Sequence, residues 1–251
     1  MRVIRATLAY DGTDFVGWQV QAAGRSVQGE LMEGLSRMHG HPVRAVGAGR
    51  TDSGVHATGQ VTSFLSDLES IPGPRFRDAM NAYLPRDIRA VDSDEAPPGF
   101  HARRSATGRL YRYYTVSAPV MLPHLRKYRH WVRHRLDLDR LRAMAGVILG
   151  EHDFTSFTAE GDANASMVRT VTESRFDVAD DTVVYTIAAG SFLWKMVRNV
   201  IGTMLWIEEN GGGAAEIAAV LDARSRPAAG PTAPAHGLFL EKVSYEQTIG
   251  A

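Results

Sequence analysis

The chain has 251 residues, 44% of them hydrophobic, with 28 basic and 28 acidic side chains and no cysteine. That length and apolar content suffice for one large domain or two small ones. The missing cysteine excludes disulfides, thiolate metal sites and cysteine nucleophiles, and no apolar run approaches the ~20 residues that span a bilayer.

The opening MRVIRATLAYDG passes straight into strand-like alternation and has no long apolar signal-peptide core, so a cytoplasmic protein is expected. A strand is predicted over 3–10, then a helix over 27–38. Ser26 is its N-cap candidate, Glu30 sits in the first turn, and Leu31, Leu35 and Met38 form its apolar stripe. Strands follow near 43–46 and 60–65, separated by a glycine-rich loop, then a short helix over 75–83 and a strand over 88–91. The order is β-α-β-β-α-β.

The second half repeats that order. LYRYYTV (110–116) reads as a strand, and Leu138, Leu141, Ala145, Ile148 and Leu149 mark a helix that stops at Gly150. Strands over 168–178 and 182–189 form a hairpin turning at Asp180-Asp181. A long amphipathic helix is predicted over 192–209, a short one near 214–221, then a Pro-rich loop and a last strand, LFLEKVSY (238–245). Each half is the split βαβ arrangement. The expected class is therefore α+β, with an N-terminal half over 1–103 and a C-terminal half over 104–251. Two such units can join edge to edge into one broad sheet with helices on one side and a cleft on the other.

The balanced charge hides a segregation. Residues 100–135 carry Arg103, Arg104, Arg109, Arg112, Arg126, Lys127, Arg129, Arg133 and Arg135 without one acid, and add His101, His124, His130 and His134. Acids gather elsewhere, at Asp92 to Glu95, Asp177 to Asp181, and Glu208-Glu209. A basic run is ordinarily a solvated surface. Here it interleaves Tyr111, Tyr113, Tyr114, Tyr128 and Trp131, a mixture that holds phosphates and stacks bases, so a nucleic-acid face is expected.

The densest motif is GAGRTDSGVHATGQV (47–61). It is not a Walker loop, since no Gly-Lys-Ser/Thr follows the glycines, and Asp52 stands where a dinucleotide fingerprint needs its third glycine. An aspartic-protease Asp-Ser-Gly ordinarily follows apolar strand residues, whereas Gly49-Arg50-Thr51 precede this one. A second such motif is missing, so that site would need a dimer. The plain alternative is a hairpin loop in which Gly supplies positive φ, Asp and Ser bond back to the backbone, and His56 is incidental. Against it stands Arg50. Two residues from Asp52, it can share a face with it in extended backbone, and a guanidinium keeps a carboxylate ionised where water is excluded. On the long helix, Met196, Val200, Met204 and Ile207 form the core stripe, while Lys195, Arg198 and Asn199 fall on another face. Cations near a helix start oppose the dipole preference, which suggests that Arg198 answers an anion.

GRTDSGVHA (49–57) resembles the signature of the tRNA pseudouridine synthase A family, usually G-R-T-D-A-G-V-H-A. YDGTDFVGWQVQ (10–21), FHARRSATGRLYRY (100–113), GEHDFTSF (150–157), MVRNVIG (196–202) and HGLFLEKVSY (236–245) resemble further family landmarks in the same order. The resemblance spans nearly the whole chain. It implies isomerisation of uridine to pseudouridine in the anticodon stem-loop of tRNA, at tRNA positions 38–40, without cofactor or metal. It also implies a homodimer across which one tRNA is bound. The fold it implies joins two ferredoxin-like halves into one continuous, largely antiparallel mixed sheet with a central active-site cleft. By position, Asp52 would be the catalytic carboxylate, Tyr111 the aromatic that contacts the target base, and Arg50 and Arg198 the arginines around the aspartate.

Three positions depart from the family pattern. Ser53 replaces the usual Ala, Gly47 stands where some members carry Cys, and Trp194-Lys195 replaces a His- or Asn-containing pair. Two rival readings use the same features: a non-catalytic RNA-binding protein of two RRM-like units, and a dimeric aspartic protease. The first unit lacks RRM-type aromatic motifs, and the protease leaves the basic face unexplained.

Overall fold

The computed structural model describes residues 1–162 and 164–246. The chain packs as two compact units, Met1–Thr107 together with the residues from Phe239 onward, and Gly108–Leu238.

In the first unit the elements are β1 (Arg2–Tyr10), α1 (Val27–His39), β2 (Ala45–Gly47), β3 (His56–Ser66), α2 (Phe76–Tyr83) and β4 (Ile88–Ala96). The predicted β-α-β-β-α-β order is the observed one. β1 lies between β3 and β4, β2 pairs with the far side of β3, and all three pairings are antiparallel. Alternation in β1 sends Ile4, Ala6, Leu8 and Tyr10 inward. There they share a core with Leu31, Leu35, Phe64, Phe76 and Met80, all buried. The Ser26 hydroxyl accepts from Gly29 N at 3.2 Å, the N-cap predicted from sequence, and Gly40 closes α1 at φ 75°. β3 starts four residues before its predicted position, so His56 is a strand residue rather than part of the loop.

The second unit contains β5 (Ala106–Ser117, whose first two residues belong to the first unit), β6 (His130–Val132), α3 (Leu138–Ile148), β7 (Gly150–Asp153), β8 (Val168–Ala179), β9 (Thr182–Ala189), α4 (Met196–Glu209) and α5 (Ala214–Ala223). β9 pairs antiparallel with β5 on one side and β8 on the other, and β7 extends the row beyond β8. This repeats the arrangement of β1, β3 and β2. The short β6 and β7 were not foreseen. The last strand, β10 (Leu238–Tyr245), forms at its predicted position, and its Phe239 and Leu240 pair in parallel with His56 and Ala57 of β3.

α4 departs from its predicted form in two ways. It begins at Met196 because Lys195 adopts φ 60°, a left-handed conformation that interrupts the helix before it starts. It is also buried on nearly every side: besides Met196, Val200 and Met204, it buries Asn199, Ile201 and Thr203 completely. The reason is the Pro-rich loop 230–234, which lies directly on the helix. A Cβ on Gly202 would come within 2.1 Å of Pro231 O. Asn199 therefore does not sit on an exposed face with Arg198. Its Nδ2 donates to Phe157 O at 2.8 Å, and its Oδ1 accepts from Thr232 Oγ1 at 2.6 Å. With both ends satisfied, the buried amide escapes the desolvation penalty of about 1–3 kcal/mol that an unpaired one carries.

His130 in β6 has a further consequence for stability. Its ring packs edge-on against Tyr113 and His236, with centroids 6.2 and 6.4 Å away. Burial, and secondly the proximity of His236, hold its pKa down to about 4. The unfolded chain takes up this proton near pH 6.5, whereas the folded chain waits until about pH 4. Stability should therefore fall as pH drops through that window. Urea unfolding at pH 7 and pH 4.5 should show a smaller decline for His130→Phe than for the parent.

Candidate active site

Asp52 stands on loop 48–55, between β2 and β3, which is the hairpin loop the sequence suggested. Two sets of contacts immobilise it. The first comes from β3 itself. Ala48 N donates to Val61 O at 2.8 Å, and the Gln60 side chain pairs with Gly49 in both directions, accepting from its N–H at 3.3 Å and donating to its carbonyl at 2.8 Å. The amide of Gln60 thus stands in for a strand neighbour. At the far end Val55 N bonds to Asp52 O at 3.1 Å, closing a turn in which Gly54 takes φ 78°.

The second set comes from residues 10–18, the connection between β1 and α1, which sequence reasoning noted only as a motif. Tyr10 Oη and Thr51 Oγ1 lie 2.8 Å apart, and burial pushes the phenol pKa up to about 12, so this bond keeps its proton. Gly12 N donates to His56 Nδ1 at 3.0 Å, and Asp11 Oδ1 approaches the same nitrogen at 3.2 Å. Ser53 Oγ donates to Phe15 O at 3.1 Å, the loop hydrogen bond its hydroxyl makes possible. Gly17 forms a β-bridge with Asp52, and Trp18 N donates to Thr51 O at 3.0 Å.

Close backbone approach explains the glycines better than φ does. Of the three glycines in 47–54, only Gly54 has positive φ. Gly47 leaves room for the buried Trp18 ring, 2.3 Å from where a Cβ would stand. Gly12 allows Val55 O to come within 2.0 Å of the corresponding point. His56 is not incidental: it is fully buried, and its ring stacks on Phe239 at 4.6 Å and 21°. The surviving sequence signal for this scaffold was the pair Gly12 and Gly17 beside Trp18, between a strand and a helix cap.

Asp52 is half-buried at the turn, while Arg50, two residues earlier, is exposed. The other two candidate residues lie in the second unit. Tyr111 is in β5, 8% exposed, opposite Ile187 of β9, with Phe192 packed edge-on against its ring at 5.2 Å. Arg198 is the third residue of α4, half-buried. Its Nε donates to Ala233 O at 2.8 Å while its own carbonyl accepts from Ala233 N at 3.0 Å. The Pro-rich loop that buries Asn199 therefore also orients this guanidinium. Arg226 stiffens that loop, donating to Ala229 O and Gly230 O at 3.2 and 3.0 Å.

Within the basic stretch, Arg126, Lys127, Arg133 and Arg135 are exposed. Arg129 is half-buried with its guanidinium 5.4 Å from the Tyr114 ring, and Arg133 lies 4.7 Å from the Trp131 ring. Among the described residues, no three His, Asp or Glu side chains cluster as metal ligands would, and no helix is long and apolar enough to cross a membrane.

The contact between Gly12 and Val55 makes a direct prediction. Gly12→Ala should lower stability by about 1–3 kcal/mol through overpacking. Amide exchange at residues 51–55 should accelerate in the same variant. Gly146→Ala, which meets open space on α3, should not destabilise the protein; urea unfolding and hydrogen exchange check both.

The tRNA pseudouridine synthase family profile matches residues 6–103 and 144–246. A tRNA pseudouridine synthase A of Treponema denticola is 40% identical over 251 aligned positions, covering 98% of this chain and 94% of that protein. Proteins of the same name from Moorella thermoacetica and Acetivibrio thermocellus are 42% and 38% identical, each over 98% of this chain and 100% of their own. With both halves of the chain matched and relatives this similar from end to end, the protein belongs to the tRNA pseudouridine synthase family.

Proposed function

We propose that this protein isomerises uridine to pseudouridine in tRNA, in the anticodon stem-loop at positions 38–40, with Asp52 as the catalytic carboxylate. The observation that carries the assignment is a half-buried aspartate on a loop braced from two sides, in a member of this family. A reacting carboxylate has to be held still, because small displacements forfeit much of the rate gained by positioning. The reaction breaks the N1–C1′ bond, turns the freed uracil and forms C5–C1′, with N1 gaining a proton and C5 losing one. No electrons are exchanged. Asp52 acts either on the ribose, at C1′ or C2′, or on C6 of the base.

The target base has to leave its stack first, at a cost of a few kcal/mol. Tyr111 offsets part of this by presenting an aromatic face, worth about 1–3 kcal/mol per stacked base. Its ring is braced by Phe192. Arg198, fixed through Ala233, and the exposed Arg50 supply positive charge to the carboxylate and to the RNA backbone. The exposed part of the basic stretch binds phosphates. The protein works as a cytoplasmic homodimer with one tRNA held across both protomers.

Tritium release from tRNA carrying C5-labelled uridine tests the chemistry. Asp52→Ala should reduce release by at least ~1,000-fold, and Asp52→Asn should do so while still binding tRNA. Unchanged release by either variant would assign the reaction to another group. A parent protein that binds tRNA and releases nothing would be an RNA-binding protein instead.

Salt dependence tests the binding face. Arg126→Gln, Lys127→Gln and Arg133→Gln should each flatten the plot of log affinity for tRNA against log salt, by about 0.7–0.9 in slope per lost phosphate contact. Arg129, held over Tyr114, should contribute less. An unaltered slope would return the stretch to an ordinary solvated surface.

A further inference from the structure

Trp194 leaves 50% of its surface open to solvent. A lone exposed apolar side chain is normal in a protein surface, but this one is held in place. Its N–H donates to Asp162 Oδ2 at 2.8 Å and its carbonyl accepts from Ala159 N at 3.0 Å. Asp162 is itself fixed by Thr158 Oγ1, 2.7 Å from the same carboxylate oxygen. The indole therefore projects from a backbone that is tied on both sides.

The next residue adds charge. Lys195 places its ammonium 5.2 Å from the Trp194 ring centroid. It does so from a left-handed backbone, φ 60°, which a lysine adopts only where its surroundings enforce it. Lys195 also lines a groove of about 640 Å³ with Glu160, Trp206, Arg226 and residues 230–232. Two residues before Trp194, Phe192 packs against Tyr111, so one short segment connects the brace of Tyr111, an open indole, a cation and the start of the Arg198 helix.

We propose that Trp194 and Lys195 form a nucleotide platform: the indole stacks an unpaired base of the tRNA other than the target uridine, and the ammonium meets the adjoining phosphate. The pairing of a flat π-face with a cation is what single-stranded RNA recognition requires, and it tolerates any base. The platform rests on the tRNA reading given above. Its role is in affinity, because neither side chain is assigned to the reacting atoms.

The test uses the full-length protein carrying Asp52→Asn, so that bound tRNA is not turned over, and an unmodified tRNA transcript. Adding Trp194→Ala should weaken Kd about 5- to 150-fold, the range spanned by loss of one base stack. Trp194→Phe should restore nearly the parent affinity, and Lys195→Gln should flatten the salt dependence by about 0.7–0.9 in slope. In the otherwise unmutated enzyme, Trp194→Ala should raise KM for tRNA far more than it lowers kcat. An unchanged Kd for Trp194→Ala would overturn the platform while leaving the proposed reaction intact. So would a change in oligomeric state at constant tRNA affinity, which would make the indole a contact between copies of the chain. A parent protein with no affinity for tRNA would overturn both.

Discussion

The structure around Asp52 depends on how closely two backbone segments, 10–18 and 48–55, approach each other. At Gly12 and Gly17 the main chain of one runs against the main chain of the other, with no space for even one Cβ between them. Such contact converts a surface loop, ordinarily among the most mobile parts of a protein, into an extension of the sheet. Single hydrogen bonds contribute only about 1 kcal/mol each. Here they act together, because Tyr10, Phe15, Gly17 and Trp18 all hold the same loop from one side while Gln60 holds it from the other, and Gly12 bonds to His56 just beyond it. Moving Asp52 means breaking several of them at once.

The second unit uses the same device at a helix. Gly202 lets loop 230–234 lie against α4, and the loop then covers a face that would otherwise be wet. Burying that face brings Asn199 and Thr203 inside, which is tolerable because each finds partners: Thr203 Oγ1 donates to Asn199 O at 2.7 Å and accepts from Gly230 N at 3.1 Å. The orientation of Arg198 follows from this packing, since Ala233, its partner through both main chain and side chain, belongs to the same covering loop. In both units a candidate side chain, Asp52 or Arg198, is held by a neighbouring irregular segment, and in both a glycine makes the approach possible.

Much of this was legible beforehand, and what was missed has a common cause. Local rules located α1 through Ser26, the β8–β9 hairpin through Asp180-Asp181, and the order of elements in both halves apart from the short β6 and β7. The core stripe Met196, Val200, Met204 was equally visible, because helical period shows it directly. Periodicity could not say that a distant proline-rich loop would cover the opposite face, so Asn199 looked exposed. Nor could it place the start of α4, because the left-handed turn at Lys195 is imposed by tertiary contacts and not by residue type. His56 looked dispensable because its ring partner, Phe239, is far away in sequence. At the site itself, Asp52 stood out through its motif, whereas the scaffold of residues 10–18 carried no chemistry-bearing pattern of its own. Its meaning is in backbone contact, which a sequence records only as glycine.

The placement of β10 bears on how the molecule comes into being. The ribosome emits a chain from its N-terminus, so the first unit begins to assemble while most of the second is still unmade. Its sheet nonetheless lacks one member until late: Thr58 Oγ1 meets Glu241 at 2.8 Å across 183 positions of sequence. Closing so long a loop is slow relative to forming local hairpins. Until that strand arrives, His56 has no Phe239 beneath it, and the end of β3 next to the aspartate loop has no parallel neighbour. The nascent chain thus acquires most of the first unit's architecture, including the brace around loop 48–55, early, and the strand beside the start of β3 last.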